Sequence, residues 1–288
     1  MSPPARPDPP PDASPFLSLA VEVVRRAGAL QMAAFGGRLD VSKKGVIDLV
    51  TNVDVEIERM FRQTIAERCP AHDVLGEEMG AKRAAEAPSR YCWIFDPIDG
   101  TTNFAHGVPI FCSSLALEID GQLSVAAVFD PTRGELFTAE RGRGAWLNNA
   151  RLRVSDTDTL VDSLLVTGFP YSVQADPQEI LAIFGAFIGR ARAVRRLGSA
   201  ALDVCYVAAG RMDGFWETGL GAWDVAAAAL LVEEAGGRTS DVTGGPFEAR
   251  SGQLVASNGR IHDEMLHTIG HVRAAVAGIA DRSRNRTE

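Results

Sequence analysis

An unbroken apolar and aromatic run, Tyr91-Cys92-Trp93-Ile94-Phe95, leads directly into Asp96-Pro97-Ile98-Asp99-Gly100-Thr101-Thr102-Asn103-Phe104. The run has the character of a strand buried on both faces, so the chain leaves a rigid sheet and at once presents two carboxylates. Pro97 fixes its own φ and biases Asp96 toward an extended backbone. Gly100 permits a close turn, and Thr101, Thr102 and Asn103 offer N–H and hydroxyl donors at a helix start. Two ionised carboxylates about 4 Å apart repel by about 4 kcal/mol at an effective dielectric near 20. Either a shared proton or a bound divalent cation offsets that repulsion. The adjacent donors favour the cation, because an N–H-lined turn beside a metal suits a phosphate. Taken alone, the motif also fits an Asx-type turn in which both acids only cap backbone.

Two further motifs flank it in order: Gly76-Glu77-Glu78 upstream, and Trp223-Asp224-Val225-Ala226 running to Glu234-Ala235-Gly236-Gly237 downstream. Together the three resemble the signature of the inositol monophosphatase family of magnesium-dependent, lithium-sensitive phosphatases. The similarity of order and spacing extends from about Leu17 to about Ile269. The resemblance implies one Mg²⁺ held by Glu77, Asp96 and the carbonyl of Ile98, and a second held by Asp96, Asp99 and Asp224, with two or three ions per site. It implies that Thr101, supported by Asp54, orients the attacking water and with Glu77 helps to deprotonate it. The N–H groups of Gly100 and Thr101 then hold phosphate oxygens, and Asp99, the turn Gly198-Ser199-Ala200 and Glu217 meet the substrate. A homodimer and inhibition by Li⁺ are implied as well.

Relatives within that family hydrolyse inositol monophosphate, fructose 1,6-bisphosphate, histidinol phosphate or 3′-phosphoadenosine phosphates. Thr102-Asn103-Phe104, with Glu217 in its expected place, favours the inositol type, while Arg195 and Arg196 keep a bisphosphate open. A non-catalytic metal- or ligand-binding regulator is the contrasting class. It is disfavoured because Glu77, Thr101 and every aspartate of the set are present. A structural Ca²⁺ site fits poorly, since the acids are too dispersed for a dedicated calcium loop.

A chain of 288 residues, 46% hydrophobic and 23% charged, can bury a substantial core. Its net charge of -8 argues against nucleic acid as the main partner. Cys69, Cys92, Cys112 and Cys205 have no C-x-x-C spacing and read as reduced residues of a cytoplasmic protein. Val225 to Val232 is too short to span a membrane, and no signal peptide is evident, so no membrane partner is expected.

Residues 1–15 read as a disordered proline-rich tail, and Ser14-Pro15 as the start of a helix reaching about Phe35. Lys43 to Asp54 reads as a basic loop entering a second helix capped by Thr51 or Asp54, which ends before Pro70. A short strand over Asp73 to Gly76 delivers Glu77 and Glu78, and Ala81 to Arg90 is a surface connection. Phe111 to Ile119 and Leu123 to Phe129 flank Asp120-Gly121, a two-residue hairpin signal. Glu135 to Ala139 and Trp146 to Val154 continue the sheet. Strands over Ser163 to Val166, Ala193 to Leu197 and Met212 to Glu217 then alternate with helices around Gln178 to Gly189 and Ala200 to Gly210. A further helix opens at Asp224, strand-like residues recur near Leu254 to Ser257, and a last helix closes the chain. The expected class is mixed α+β and α/β: a layered α-β-α-β-α sandwich with a larger antiparallel sheet and a smaller second one. An N-terminal α+β part over 16–155 carries most metal ligands, a C-terminal α/β part over 156–279 carries Glu217 and Asp224, and 280–288 is a frayed tail.

Overall fold

The computed structural model describes residues 13–45, 48–86 and 88–284. Most of the proline-rich stretch, Val46 and Ile47 of the basic loop, and residues 285–288 of the expected polar tail lie outside the described residues.

Helix α1 (Pro15–Ala34) starts as the sequence predicts, with the Ser14 hydroxyl accepting the Leu17 N–H at 3.2 Å and proline in the first turn. Gly28 lets this helix approach the sheet closely, since a Cβ there would lie 2.6 Å from the Phe129 ring. The segment expected as a simple basic loop instead forms a ribbon, β1 (Val41–Lys43) antiparallel to β2 (Leu49–Thr51). Its short arms carry β-branched Val41, Val50 and Thr51, which suit a pleated pair. Thr51 then caps α2 (Asn52–Arg68) in a capping box with Asp54.

The large sheet is assembled from β3 (Asp73–Gly76), β4 (Gly80–Lys82), β5 (Tyr91–Asp99), and, after the short helix α3 (Thr101–Ala105), β6 (Cys112–Ile119), β7 (Gln122–Asp130), β8 (Glu135–Glu140), β9 (Gly144–Leu147) and β10 (Ala150–Arg151). Their spatial order is β10-β9-β8-β7-β6-β5-β3-β4. Asp120 and Gly121 make the predicted hairpin turn with φ of 52° and 77°. Three expectations need correction. The sheet is mixed, because β3 runs parallel to β5: β4 turns back along the outer edge of β3, and the chain re-enters on the other side. The supposed surface connection therefore begins as an edge strand. Trp146 to Val154 is not one strand either, because Asn148 at φ 52° turns the chain between β9 and β10.

The second half supplies β11 (Leu164–Thr167), α4 (Gln178–Ile188), β12 (Ala193–Arg195), α5 (Ala200–Ala208), β13 (Gly214–Thr218), α6 (Ala222–Glu234), β14 (Arg238–Ser240), β15 (Gln253–Ser257) and α7 (His262–Arg284). The small sheet has the order β12-β11-β13-β15-β14, parallel across its first three strands and antiparallel beyond. Helix α7 continues to Arg284, so the expected fray from 280 is corrected: the Ala-rich run after Arg273 contains no proline and favours helix.

Five layers result. Helices α1 and α2 bury Leu17, Val24, Ile57 and Phe61 against Trp93, Phe95 and Leu115 of the large sheet. Helices α5 and α6 fill the space between the sheets, with Val225 to Val232 entirely buried. On the far face of the small sheet, Ile183 and Phe187 of α4 and Met265 and Ile269 of α7 cover Trp216 and Val255. The expected α-β-α-β-α sandwich is the observed one.

Candidate active site

Strand β5 does more than precede the two acids; it contains them. Its pairing with β6 is regular to Asp96 against Ser114, then irregular until Asp99 faces Cys112. This bulge coincides with Pro97, which has no N–H to give the ladder. The Pro97 carbonyl accepts hydrogen bonds from Gln31 Nε2 and Ser113 Oγ, each at 2.8 Å, so α1 and β6 fix the bulge from behind. Asp96 and Asp99 are consequently buried and aimed by two elements at once.

Asp224 reaches them from the first turn of α6, where its Oδ2 accepts the Gly221 N–H at 2.6 Å. Asp96, Asp99 and Asp224 offer oxygens that all lie within 4.8 Å of one another. Burial pushes the carboxyls of Asp96 and Asp224 well above the usual carboxylate range, and the neighbouring charges of Glu77 and Asp99 push both further. Asp99 is raised by burial but partly relieved by its donors: Ser199 Oγ at 2.6 Å, Ala201 N–H at 2.7 Å and Ala200 N–H at 3.2 Å. Asp96 Oδ1 is buried without a hydrogen-bond partner. A set of hard oxygen donors with one orphaned carboxylate oxygen fits a divalent cation such as Mg²⁺.

Glu77 adjoins this group on the same cavity wall, and burial raises its carboxyl too. It is held by Lys44, whose Nζ donates to Glu77 Oε1 at 2.8 Å and Glu78 Oε1 at 2.6 Å. The Ile98 carbonyl accepts from Thr101 Oγ1 at 2.9 Å and keeps a second lone pair. That hydroxyl also lies 3.2 Å from Asp54 Oδ1. Asp54 thus touches both the Thr101 hydroxyl and the start of α2, where its Oδ2 accepts the Thr51 N–H at 2.9 Å as a cap. Burial raises the Asp54 carboxyl to about 6. Gly100 turns the chain at φ 98°, where a Cβ would lie 2.9 Å from the Ile110 carbonyl.

A cavity of about 420 Å³ brings together Glu77, Asp96, Ile98, Asp99, Gly100, Thr101 and Asp224 with Gly198, Ser199, Ala200 and Glu217. Asp54 stands behind Thr101. Glu217 comes from β13 and fits because Gly168 has no side chain: a Cβ there would sit 2.2 Å from its carboxylate. Burial pushes Glu217 up to about 8, against the lowering influence of Arg196. The α5 turn differs from expectation in one respect, because the donors of Ser199 and Ala200 are engaged by Asp99.

Several residues escape a linear reading. Glu58, fully buried on α2, accepts the N–H groups of Glu78 at 2.7 Å and Met79 at 3.1 Å and so shapes the turn that presents Glu77. Its i, i+4 spacing from Asp54 and to Arg62 is the only signal for it. Asn103 Nδ2 donates to Ile110 and Leu197 carbonyls, each at 2.9 Å, tying the central motif to the Gly198 turn. Asn103 and buried Phe104 do not line the cavity, so the substrate preference read from them rests on residues with a framework role. Arg196 does line it, whereas Arg195 and His106 do not.

Residues 12–274 match the model described as the inositol monophosphatase family. Nus factor SuhB of Pseudomonas aeruginosa is 45% identical over 260 residues, covering 88% of this chain and 96% of that protein. Inositol-1-monophosphatase of Mesorhizobium japonicum is 42% identical over 258 residues, covering 89% and 96%. Among solved structures, the extragenic suppressor protein suhB of Bartonella henselae superposes with a TM-score of 0.84 at 37% identity, covering 89% of this chain and 98% of that one. The inositol monophosphatase of Anabaena gives 0.81 at 38%, covering 89% and 95%. A match over nearly the whole chain, with the acids of three separated motifs meeting in one cavity, makes this protein a phosphatase of the inositol monophosphatase family.

Proposed function

We propose that the protein hydrolyses a phosphate monoester in a Mg²⁺-dependent reaction, with inositol monophosphate as the preferred substrate. The observation that carries this reading is the orphaned Asp96 oxygen within the Asp96–Asp99–Asp224 cluster, directly beside the Thr101–Asp54 pair. Glu77, Asp96 and the Ile98 carbonyl would hold one ion, and Asp96, Asp99 and Asp224 another, with room for a third left to experiment. Such ions supply charge neutralisation at the phosphoryl group. The chain does the rest. Thr101 Oγ1 orients the attacking water, and Asp54 behind it positions that hydroxyl and takes up its proton, with Glu77 as a second acceptor. The N–H groups of Gly100 and Thr101 face the phosphate oxygens. Glu217 accepts a hydrogen bond from a leaving-group hydroxyl, and the Ser199-Ala200 turn positions Asp99 beside it.

Lys44 occupies both Glu77 and Glu78 in this structure, so it must release Glu77 before that residue can bind an ion. A second reading, a regulator, is favoured by the name Nus factor that relatives such as the Pseudomonas protein carry. One assay separates the two. Phosphate release from inositol 1-phosphate should require Mg²⁺, fall with Li⁺ and drop by roughly 10²- to 10³-fold in Asp96→Asn, and it should exceed release from fructose 1,6-bisphosphate, histidinol phosphate and 3′-phosphoadenosine 5′-phosphate. Absence of release from all four would leave the regulator. The proposed setting is the cytoplasm, as a homodimer; sedimentation at assay concentration checks the latter. Among the described residues no helix is long and apolar enough to cross a membrane, and all four cysteines are free.

A further inference from the structure

We propose that Asp203 is a specificity residue: its carboxylate accepts a hydrogen bond from a hydroxyl of a polyol leaving group, beside Glu217 on the same cavity wall. This rests on the phosphatase reading and narrows its substrate to a hydroxyl-rich monophosphate. Asp203 lies one turn into α5, is 1% exposed, and borders the cavity with Glu217, Arg196 and Gly198. Its Oδ1 is buried and has no hydrogen-bond partner. A buried acceptor left unmade is costly, and although the first turn of α5 favours an acid, that placement supplies no hydrogen-bond partner for the orphaned oxygen. The flanking Leu202 and Val204 are ordinary core.

The chemistry of the wall selects the missing partner. The charged groups facing Asp203 are Glu217, Asp99 and Arg196. Asp99 already has Ser199, Ala200 and Ala201 as donors and cannot supply one. Arg196 is drawn toward the Phe169 ring, 5.8 Å from its centroid. Two buried acids against one guanidinium leave little positive charge for a second phosphate but offer oxygens that hydrogen-bond neutral hydroxyls. A ring with adjacent hydroxyls can satisfy Asp203 and Glu217 together, whereas a second phosphate finds only the Arg196 guanidinium on this wall.

The test compares kcat/KM for inositol 1-phosphate with that for cyclohexyl phosphate, which has no ring hydroxyls, in wild type, Asp203→Leu and Asp203→Asn with saturating Mg²⁺. The ratio of the two should fall by roughly 10- to 100-fold in Asp203→Leu, the size of one lost hydrogen bond to a charged acceptor, and by less in Asp203→Asn, whose amide oxygen still accepts. A ratio within about twofold of wild type in the folded variants overturns the proposal. If both variants fail to fold, the wild-type ratio decides, and a value near one overturns it. Wild type that hydrolyses neither ester instead defeats the phosphatase reading, and the Asp203 assignment with it.

Discussion

Asp96 and Asp99 look equivalent in the motif and are opposite in their surroundings. Asp96 has an oxygen with no partner and takes charge repulsion from Glu77, Asp99 and Asp224. Asp99 has a hydroxyl and two helix N–H groups. Asp96→Asn should therefore lower kcat by roughly 10²- to 10³-fold while raising the melting temperature of the metal-free protein, as it removes a buried charge. Asp99→Asn should lose activity and also about 1–3 kcal/mol of stability, because the start of α5 loses a charged cap. Thermal melts in EDTA beside steady-state assays distinguish the two patterns. Thr101→Ala should cost roughly 10²-fold in kcat, with Thr101→Ser recovering most of it, since the hydroxyl rather than the methyl meets Asp54 and Ile98. Equal losses in the two variants would remove the hydroxyl from the mechanism.

At the scale of elements, the site is a meeting of ends: the bulged end of β5, the starts of α5 and α6, and the end of β13. The turn after β3 depends on α2 through Glu58, which also pairs with Arg62 at 2.7 Å. Gly76 leaves room for that carboxylate, since a Cβ would come within 2.3 Å of it. Glu58→Ala strips the acceptor from two turn N–H groups and leaves Arg62 without its carboxylate, with only the Gly80 carbonyl to accept from it. It should cost about 3–5 kcal/mol in urea unfolding, with weakened metal binding, even though Glu58 belongs to no motif. A loss under about 1 kcal/mol would show that water replaces the carboxylate without penalty.

For the whole molecule, stability without metal should be greatest on the acid side, near about pH 4 to 5, and fall toward about pH 8. Burial holds Asp54 at about 6, Glu78 at about 7 and Glu217 at about 8, all above their unfolded values. The folded state therefore binds these protons more tightly, and the stability they contribute is fully present below about pH 4 and is lost progressively as pH rises from there through the folded values of about 6 to 8. His262 has the opposite sign. Buried between Ser240 and Ser257 at 2.9 Å from each, it is depressed to about 4 chiefly by burial, so its contribution is present above about 6.5 and lost as pH falls toward 4. Melting temperature against pH in EDTA should trace this maximum, and Mg²⁺ should raise the alkaline limb most. A flat alkaline limb in EDTA would mean that the acid cluster is solvated rather than dry.

Much of this protein is local enough to be written in its sequence. Ser14-Pro15, Thr51 with Asp54, and Asp120-Gly121 act through neighbours a few residues away, so caps and turns are legible from spacing alone, and the five-layer order follows from the alternation of runs. Asp96 and Asp99 were legible too, because Pro97 and Gly100 leave the backbone few choices around them, while Glu77 and Glu217 took their expected roles from the family resemblance. The strand directions were not. Whether β3 runs with or against β5 depends on which side of the sheet the chain re-enters, and no residue of either strand records that. Glu58, Gln31, Asn103 and Asp203 were equally silent, being a helix residue, a helix residue, a motif residue and a helix residue until the sheets closed. Their partners lie 20 or more residues away in most cases, from the Glu58 carboxylate on the Glu78 N–H to the Asn103 amide on the Leu197 carbonyl. A side chain's hydrogen-bond partner across such a separation is chosen by packing, which only the assembled fold supplies.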